Sequence, residues 1–264
     1  PKGTFSEQAV LKSFGNSCKV LFENNIDTVF KSVEGRSASY GVVPLENSTE
    51  GAIARTLDLF VSSSLNICGE ILLPIHHNLL TGAENKANIT KVYSHAQSFG
   101  QCMNWLLENI PKAERIVVSS NSEAARLASL NPGDTAAIGG VDAGEYYNLV
   151  SLVKNIEDEP DNMTRFAVLG VDEIGVSDTD KTSFVMSTVS RPGALFSLLQ
   201  PLADNGVNIC RLESRPSKSG TWEYVFFIDV HGHKVDPHVA LSLNQIREKA
   251  GFLKVLGSYP AAVS

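Results

Sequence analysis

The chain has 264 residues, 43% of them apolar and 19% charged, enough for one large or two medium domains with their own cores. A net charge of −7 and a pI near 5.4 argue against nucleic-acid binding, which needs lysine and arginine gathered in one basic stripe. No apolar run approaches the roughly 20 residues of a membrane span, and Pro1-Lys2-Gly3-Thr4 lacks a signal peptide's apolar stretch, so no membrane contact and a cytoplasmic location are expected. The missing initial methionine suggests a front trimmed from something longer, and leaves room for an upstream domain or targeting segment.

Along the chain, Thr4 is placed to cap a helix beginning at Ser6, with Glu7 completing a capping box. Tyr40-Gly41-Val42-Val43-Pro44 reads as a strand closed by proline, Val117-Val118 as a second, Ala136-Ala137-Ile138 as a third and Phe166-Ala167-Val168-Leu169-Gly170 as a fourth. Ser122 ahead of Glu123-Ala124-Ala125 opens another helix. Alternation of β-branched runs with helical patterns predicts an α/β class built from parallel units.

The small polar stretch Gly175-Val176-Ser177-Asp178-Thr179-Asp180 marks a domain boundary. Beyond it, residues 181–189 read as a strand, and a helix starts at Pro192 with Leu195, Leu198, Leu199 and Leu202 on one face, stopping at Gly206. Residues 207–213 form the next strand. Trp222, Tyr224, Phe226, Ile228 and Val230 alternate as a strand with one packed face. Val239, Leu243 and Ile246 mark a second helix before an apolar run at 252–256. The order β-α-β-β-α-β is ferredoxin-like.

Three polar clusters sit at strand ends, where open α/β sheets bind ligands. Glu46-Asn47-Ser48-Thr49-Glu50-Gly51 either caps a helix toward Asp58 or offers that helix's free N–H groups to an anion. In Tyr93-Ser94-His95-Ala96-Gln97-Ser98-Phe99-Gly100-Gln101, a helix from His95 would bury Phe99, Met103, Leu106 and Leu107 and set Gln97, Gln101 and Asn104 on a polar face, which by pattern alone is ordinarily solvated surface. In Asp161-Asn162-Met163-Thr164-Arg165-Phe166, the guanidinium suits a carboxylate ligand, or else pairs with Glu157, Asp158 or Asp161.

His76-His77 and His231-Gly232-His233 lack ligands at metal-site spacing, and no metal is expected. Cys18, Cys68, Cys102 and Cys210 are scattered without a CxxC pair, so reduced thiols are expected. There is no GxGxxG, P-loop or GxSxG, hence no sign of a nucleotide cofactor or an elbow-type hydrolase.

Taken in order, these segments resemble prephenate dehydratase of the monofunctional type, end to end. The resemblance is carried by Pro1-Lys2-Gly3-Thr4-Phe5-Ser6, Val43-Pro44-Leu45-Glu46-Asn47-Ser48, His77-Asn78-Leu79-Leu80 and, most diagnostic, Thr164-Arg165-Phe166. Gly193-Ala194-Leu195-Phe196 and Glu213-Ser214-Arg215-Pro216 are similar to the two phenylalanine-binding motifs of the family's ACT regulatory domain. Ala96 stands where the family commonly has proline, and Met163 precedes the Thr-Arg-Phe motif.

The resemblance implies a two-lobed, periplasmic-binding-protein-like catalytic domain at 1–176, with an active cleft between its lobes, plus a ferredoxin-like α+β ACT domain at 181–264. Lobe one would take about 1–74 and 164–176, lobe two about 75–163, and the family's first strand would fall ahead of Pro1. The implied reaction converts prephenate to phenylpyruvate without a cofactor, losing carbon dioxide and water. Thr164, Asn47, Ser94 and Gln101 are the implied catalytic residues, with Thr4, Ser48, Arg165 and Phe166 around the substrate. Phenylalanine, as feedback effector, would bind between two ACT domains of a homodimer or homotetramer, near Ala194, Leu195, Asn208, Glu213, Ser214 and Arg215. Arogenate dehydratase shares these motifs, and a non-catalytic small-molecule sensor could share the architecture; the intact Thr164-Arg165-Phe166 argues against the sensor.

Overall fold

The computed structural model describes residues 2–188, 191–217 and 224–262. Pro1, Val189 and Trp222, which the sequence assigns to an opening loop and to strands, lie outside the described residues.

Helices α1 (Phe5–Phe14) and α2 (Ile26–Glu34) come first, followed by β1 (Tyr40–Asn47), β2 (Gly51–Ala52), α3 (Ala54–Ser62), β3 (Asn66–Pro74) and β4 (Asn78–Thr81). Next are β5 (Lys91–Ser94), α4 (Ala96–Gln101), α5 (Met103–Asn109), β6 (Glu114–Val117), α6 (Asn121–Ala128), β7 (Thr135–Gly139), α7 (Val141–Tyr146) and β8 (Val150–Val153). β9 (Met163–Gly170) leads to β10 (Asp180–Ser187), α8 (Ala194–Asp204), β11 (Ile209–Pro216), β12 (Tyr224–His231), α9 (Pro237–Lys249) and β13 (Phe252–Pro260). Among the described residues no helix is long and apolar enough to cross a membrane.

The elements gather into two compact units: Pro1–Asn24, Asn47–Thr49 and Leu73–Thr164 in one, Asn25–Glu46, Glu50–Leu72 and Arg165–Ser264 in the other. The first unit is built on a five-stranded sheet in the order β6-β5-β7-β4-β8. β5 runs parallel to β6 and β7, as the alternating pattern predicts, but β4 is antiparallel to both β7 and β8. The reversed strand is the one by which the chain enters this unit after Leu73, with no crossover helix ahead of it.

One apolar cluster of this unit gathers Leu79, Val92, Phe99, Leu106, Ile138 and Ile156. A second is nearly all alanine, with Ala124, Ala125, Ala128, Ala137 and Ala143 beside Leu80 and Leu149, and such small side chains let α6 and α7 lie close against the sheet. Residues 2–24, expected in the first lobe, pack here: Ser122 Oγ donates to the Lys2 carbonyl, and the Phe5 ring meets His77 edge-on at 5.6 Å. α1 starts at Phe5 under a Thr4 cap, and the Glu7 carboxylate accepts from Gly3 N. α6 begins one residue before Ser122; its cap is Ser120, because Glu123 at the third helical position donates its N–H there.

In the second unit one sheet has the order β2-β1-β9-β3. β1 continues through Pro44 to Asn47, where pairing resumes as Ile53 N donates to Leu45 O at 2.9 Å. The other sheet, β11-β12-β10-β13, is antiparallel throughout and carries α8 and α9, the ferredoxin-like arrangement expected. α8 starts at Ala194, not Pro192, because Gly193 takes the left-handed conformation (φ 74°) that ends the preceding turn. β12 is packed on both faces, not one. Ile228 and Val230 join Leu198, Leu202, Leu243 and Ile246, while Val225 and Phe227 join Phe30, Leu45, Phe60 and Leu169. Lys254 clamps the second face by donating Nζ to the carbonyls of Phe60 and Ser63, and burial pushes its pKa down.

Gly257 in β13 lies against the Ile67 backbone in β3, and a Cβ there would run into the Ile67 carbonyl oxygen. Its φ of 153° also disfavours an L side chain. Gly257→Ala is therefore expected to destabilise the protein by about 3 kcal/mol, read as a lower denaturation midpoint at unchanged slope.

Candidate active site

Asn47 closes β1 and Thr164 is the second residue of β9, and both side chains are buried. Two backbone links hold the strand ends together: Ser48 N donates to Met163 O at 2.8 Å and Met163 N to Ser48 Oγ at 2.9 Å. The Glu46–Gly51 cluster is thus a turn between β1 and β2 and caps no helix. α3 begins later, after Ile53, with no side-chain cap. The turn is set by Asn47, whose Oδ1 accepts from Thr49 N (3.1 Å) and Thr49 Oγ1 (2.7 Å) in an Asx-type turn, and by Gly51 at φ 82°.

The Asn47 amide nitrogen donates to Asn162 Oδ1 at 2.8 Å and to Thr164 Oγ1 at 2.9 Å. From the other side, Gln101 Nε2 donates to Thr49 Oγ1 (3.4 Å), and Gln101 Oε1 faces His77 Nε2 at 2.8 Å. Neither His77 nor Asn162 was singled out for the site by the sequence. His77 is 1% exposed, its ring Nδ1 has no hydrogen-bond partner among the described residues, and burial lowers its pKa, so the ring is neutral near pH 7. Its proton then sits on Nε2, the nitrogen facing an amide oxygen that can only accept.

Gln101 reaches this group because the predicted continuous helix is broken. α4 ends at Cys102 (φ −122°, ψ 18°) and α5 restarts at once, its N–H groups at Asn104 and Trp105 donating to the Asp158 carboxylate at 3.0 and 3.1 Å. The break rotates the register. Phe99 and Leu106 stay buried, but Met103 and Leu107 are exposed at 36% and 52%, and Cys102 takes a core position instead.

Ser94 is fully buried and donates its hydroxyl to Asn121 Oδ1 at 3.4 Å. Asn121 also accepts from His95 N and donates to Ser98 Oγ, so it orders the whole Ser94–Ser98 turn, a role no local motif announced. The Thr4 hydroxyl caps α1, Ser48 braces the β1–β9 turn, and Phe166 is buried on the same face of β9 as Thr164.

Arg165 alternates to the opposite face from Thr164. It binds neither Glu157, Asp158 nor Asp161; Nε donates to Glu70 (2.6 Å), Nη1 to Asp229 (2.6 Å) and Nη2 to the Tyr259 hydroxyl (3.0 Å). Ser183 completes the set on Asp229, and Lys181 on Glu70. Burial alone would lower the Arg165 pKa, but Asp229, Tyr259 and Glu70 together hold it above the ordinary value, while burial and the same carboxylates push Tyr259 up. With Nε and Nη1 on carboxylates of the protein and Nη2 on a tyrosine hydroxyl, Arg165 braces β9 and is not placed as the substrate anchor expected. His76 pairs with Glu157, and His233 Nε2 lies 3.0 Å from the Ile174 carbonyl.

The residues expected to bind an effector fall on two elements. Ala194 and Leu195 open α8, where a cavity of about 160 Å³ is lined by Thr188, Arg191, Ala194, Ser197, Leu198 and Lys249. Asn208 precedes β11, in which Glu213 and Arg215 share the half-buried face with Arg211 while Ser214 and Leu212 are exposed. Arg211 donates to Glu46 at 2.7 Å, and Arg215 lies 3.5 Å from Asp58.

Arg165→Met would leave Glu70 and Asp229 without their shared cation. A loss of about 3–5 kcal/mol in unfolding free energy is expected in denaturant titrations, and a loss under 1 kcal/mol would mean the brace contributes little.

The family model described as prephenate dehydratase matches residues 1–174, and the ACT-domain model matches 182–248. The bifunctional chorismate mutase/prephenate dehydratase of Neisseria gonorrhoeae is 51% identical over 265 residues, covering all of this chain and 73% of that protein. The prephenate dehydratase of Methanocaldococcus jannaschii is 36% identical over 276 residues, covering 98% of this chain and 96% of that one. Among solved structures, the prephenate dehydratase of Arthrobacter aurescens in complex with L-Phe aligns with a TM-score of 0.89 at 32% identity, over 98% of this chain and 88% of that chain. Family model, relatives and fold agree that this chain belongs to the prephenate dehydratase family and that an ACT domain follows its catalytic part.

Proposed function

We infer that the chain catalyses conversion of prephenate to phenylpyruvate, with Thr164 assisting departure of the ring hydroxyl. As the bond from ring carbon to carboxylate breaks, its electrons enter the ring, the C–O bond opposite breaks, and aromatisation drives the step. The leaving oxygen takes up negative charge and must be met by a hydrogen-bond donor. The observation that carries this reading is the direction of the Asn47–Thr164 bond. The amide donates and Thr164 Oγ1 accepts, which leaves the Thr164 hydrogen for the departing oxygen. A threonine hydroxyl is a poor acid, so its part is to stabilise developing charge, with water as the final proton source. Asn47 holds this donor, Gln101 reaches it only through Thr49, and Ser94, its hydrogen committed to Asn121, presents lone pairs as an acceptor.

Thr164→Ala is expected to lower kcat about 100-fold or more while KM moves only a few-fold; unchanged turnover would remove Thr164 from the chemistry. Assays with prephenate and with arogenate, followed by detection of phenylpyruvate or phenylalanine, decide which acid is the substrate. Product from neither would favour a sensor.

L-phenylalanine is the proposed feedback effector, bound by the ACT domain near Ala194, Leu195, Asn208, Glu213, Ser214 and Arg215 in a homodimer or homotetramer. Two large apolar side chains left in solvent beside these residues, Phe196 at 72% and Leu212 at 46% exposure, support a covering partner subunit. Inhibition requires tighter binding of phenylalanine to the less active arrangement. Glu213→Ala should raise the half-inhibitory phenylalanine concentration at least about 10-fold, equivalent to about 1.4 kcal/mol. Unaltered inhibition would move the effector site elsewhere.

A further inference from the structure

His77, Gln101, Thr49, Asn47 and Thr164 form one chain of hydrogen bonds, and the donor in each link is fixed by chemistry. A neutral His77 with its proton on Nε2 donates to Gln101 Oε1 (2.8 Å). The Gln101 amide nitrogen then donates to Thr49 Oγ1 (3.4 Å). Thr49 has one hydrogen, and at 2.7 Å it goes to Asn47 Oδ1, which can only accept. The Asn47 amide nitrogen donates to Thr164 Oγ1 (2.9 Å). All four links point the same way.

His77 stands at the head of this chain and is held there from several sides. Its backbone N donates to Glu157 Oε2 (2.8 Å), its carbonyl accepts from Ile156 N (2.8 Å), and its ring is met edge-on by Phe5. The Nδ1 atom is buried without a partner, so moving the proton there would bury an unsatisfied donor and turn a lone pair of Nε2 against the Gln101 oxygen. That penalty locks the tautomer, and the tautomer locks the orientation of the Gln101 amide.

We propose that His77 and Thr49 are positioning residues for the dehydration: His77 orients Gln101, Thr49 passes that orientation to Asn47, and Asn47 holds the Thr164 hydroxyl with its hydrogen directed at the leaving oxygen. The inference rests on Thr164 being the donor to that oxygen. A run of aligned donors polarises each member and makes the terminal O–H a stronger donor than an isolated threonine.

The test measures kcat and KM for His77→Phe, which keeps a buried ring and removes the donor, and for Thr49→Val, which keeps the shape of an exposed turn residue and removes the hydroxyl. Each is expected to lower kcat about 10-fold with KM within about 3-fold, roughly the 1.4 kcal/mol of one oriented hydrogen bond. Because the two act in series, the double variant should be no slower than the slower single one. His77→Gln, which restores an N–H near the Nε2 position, should recover kcat to within about 3-fold of the parent.

Multiplying losses in the double variant, or full kcat in Thr49→Val, would overturn the proposal even if His77→Phe did not fold. Thr164→Ala in the same series separates the two failures. If Thr164→Ala abolishes turnover while Thr49→Val leaves it untouched, only the relay is wrong; if Thr164→Ala is harmless, the reading beneath it falls as well.

Discussion

A guanidinium buried between two carboxylates fixes the strand that carries Thr164. Arg165 is 11% exposed, and its partners Glu70 and Asp229 are 1% and 5% exposed, so all three charges are largely withdrawn from solvent. With Lys181 on Glu70 the group is electrically balanced. Such a cluster is weak evidence for net stability, since a well-packed apolar set can do as well, but it has one low-energy arrangement. It ties β9 to β3, β12 and β13 at once, immediately after Thr164. The division between the two compact units falls between these two residues.

Nothing in the Asn47–Thr164 group carries a formal charge. That suits a reaction whose driving force lies in the substrate, where a ring becomes aromatic and the protein has to hold geometry and meet one developing oxyanion. A charged general acid would need a perturbed pKa and its own compensating partners. Amides and hydroxyls need only correct orientation, and here Gln101, Thr49 and Asn47 each have theirs set by a neighbour.

Much of this was legible in the residues. The α/β class and the β-α-β-β-α-β order after residue 180 follow from the alternation of strand and helix periods, and the grouping of Asn47, Gln101 and Thr164 from the family resemblance. Other features were hidden for physical reasons. β3 escaped because Glu70 interrupts its apolar run, and only the fold brings Arg165 and Lys181 to neutralise it. Short β5 and β8 carried too few residues for a periodicity. The helix break at Cys102 depends on a carboxylate from far along the chain. The bracing of β9 by Arg165 does not show in the sequence because its partners come from positions 70 and 229, beyond any local window. The sequence shows His77 only as the start of the His77-Asn78-Leu79-Leu80 segment, and the role proposed for it rests on the direction of one hydrogen bond.

Asp158 deserves a mechanical reading. Its carboxylate holds N–H groups in the first turn of α5, its own N–H donates to the Gln101 carbonyl at 2.7 Å, and the same segment delivers Asn162 four residues later and Thr164 six residues later. Glutamine and threonine, 63 positions apart, are thereby hitched to a single short tether. Thermal excursions of that loop would carry both together, preserving their spacing while the surroundings breathe, and amides near 104 and 158 would open to solvent exchange as one cooperative patch.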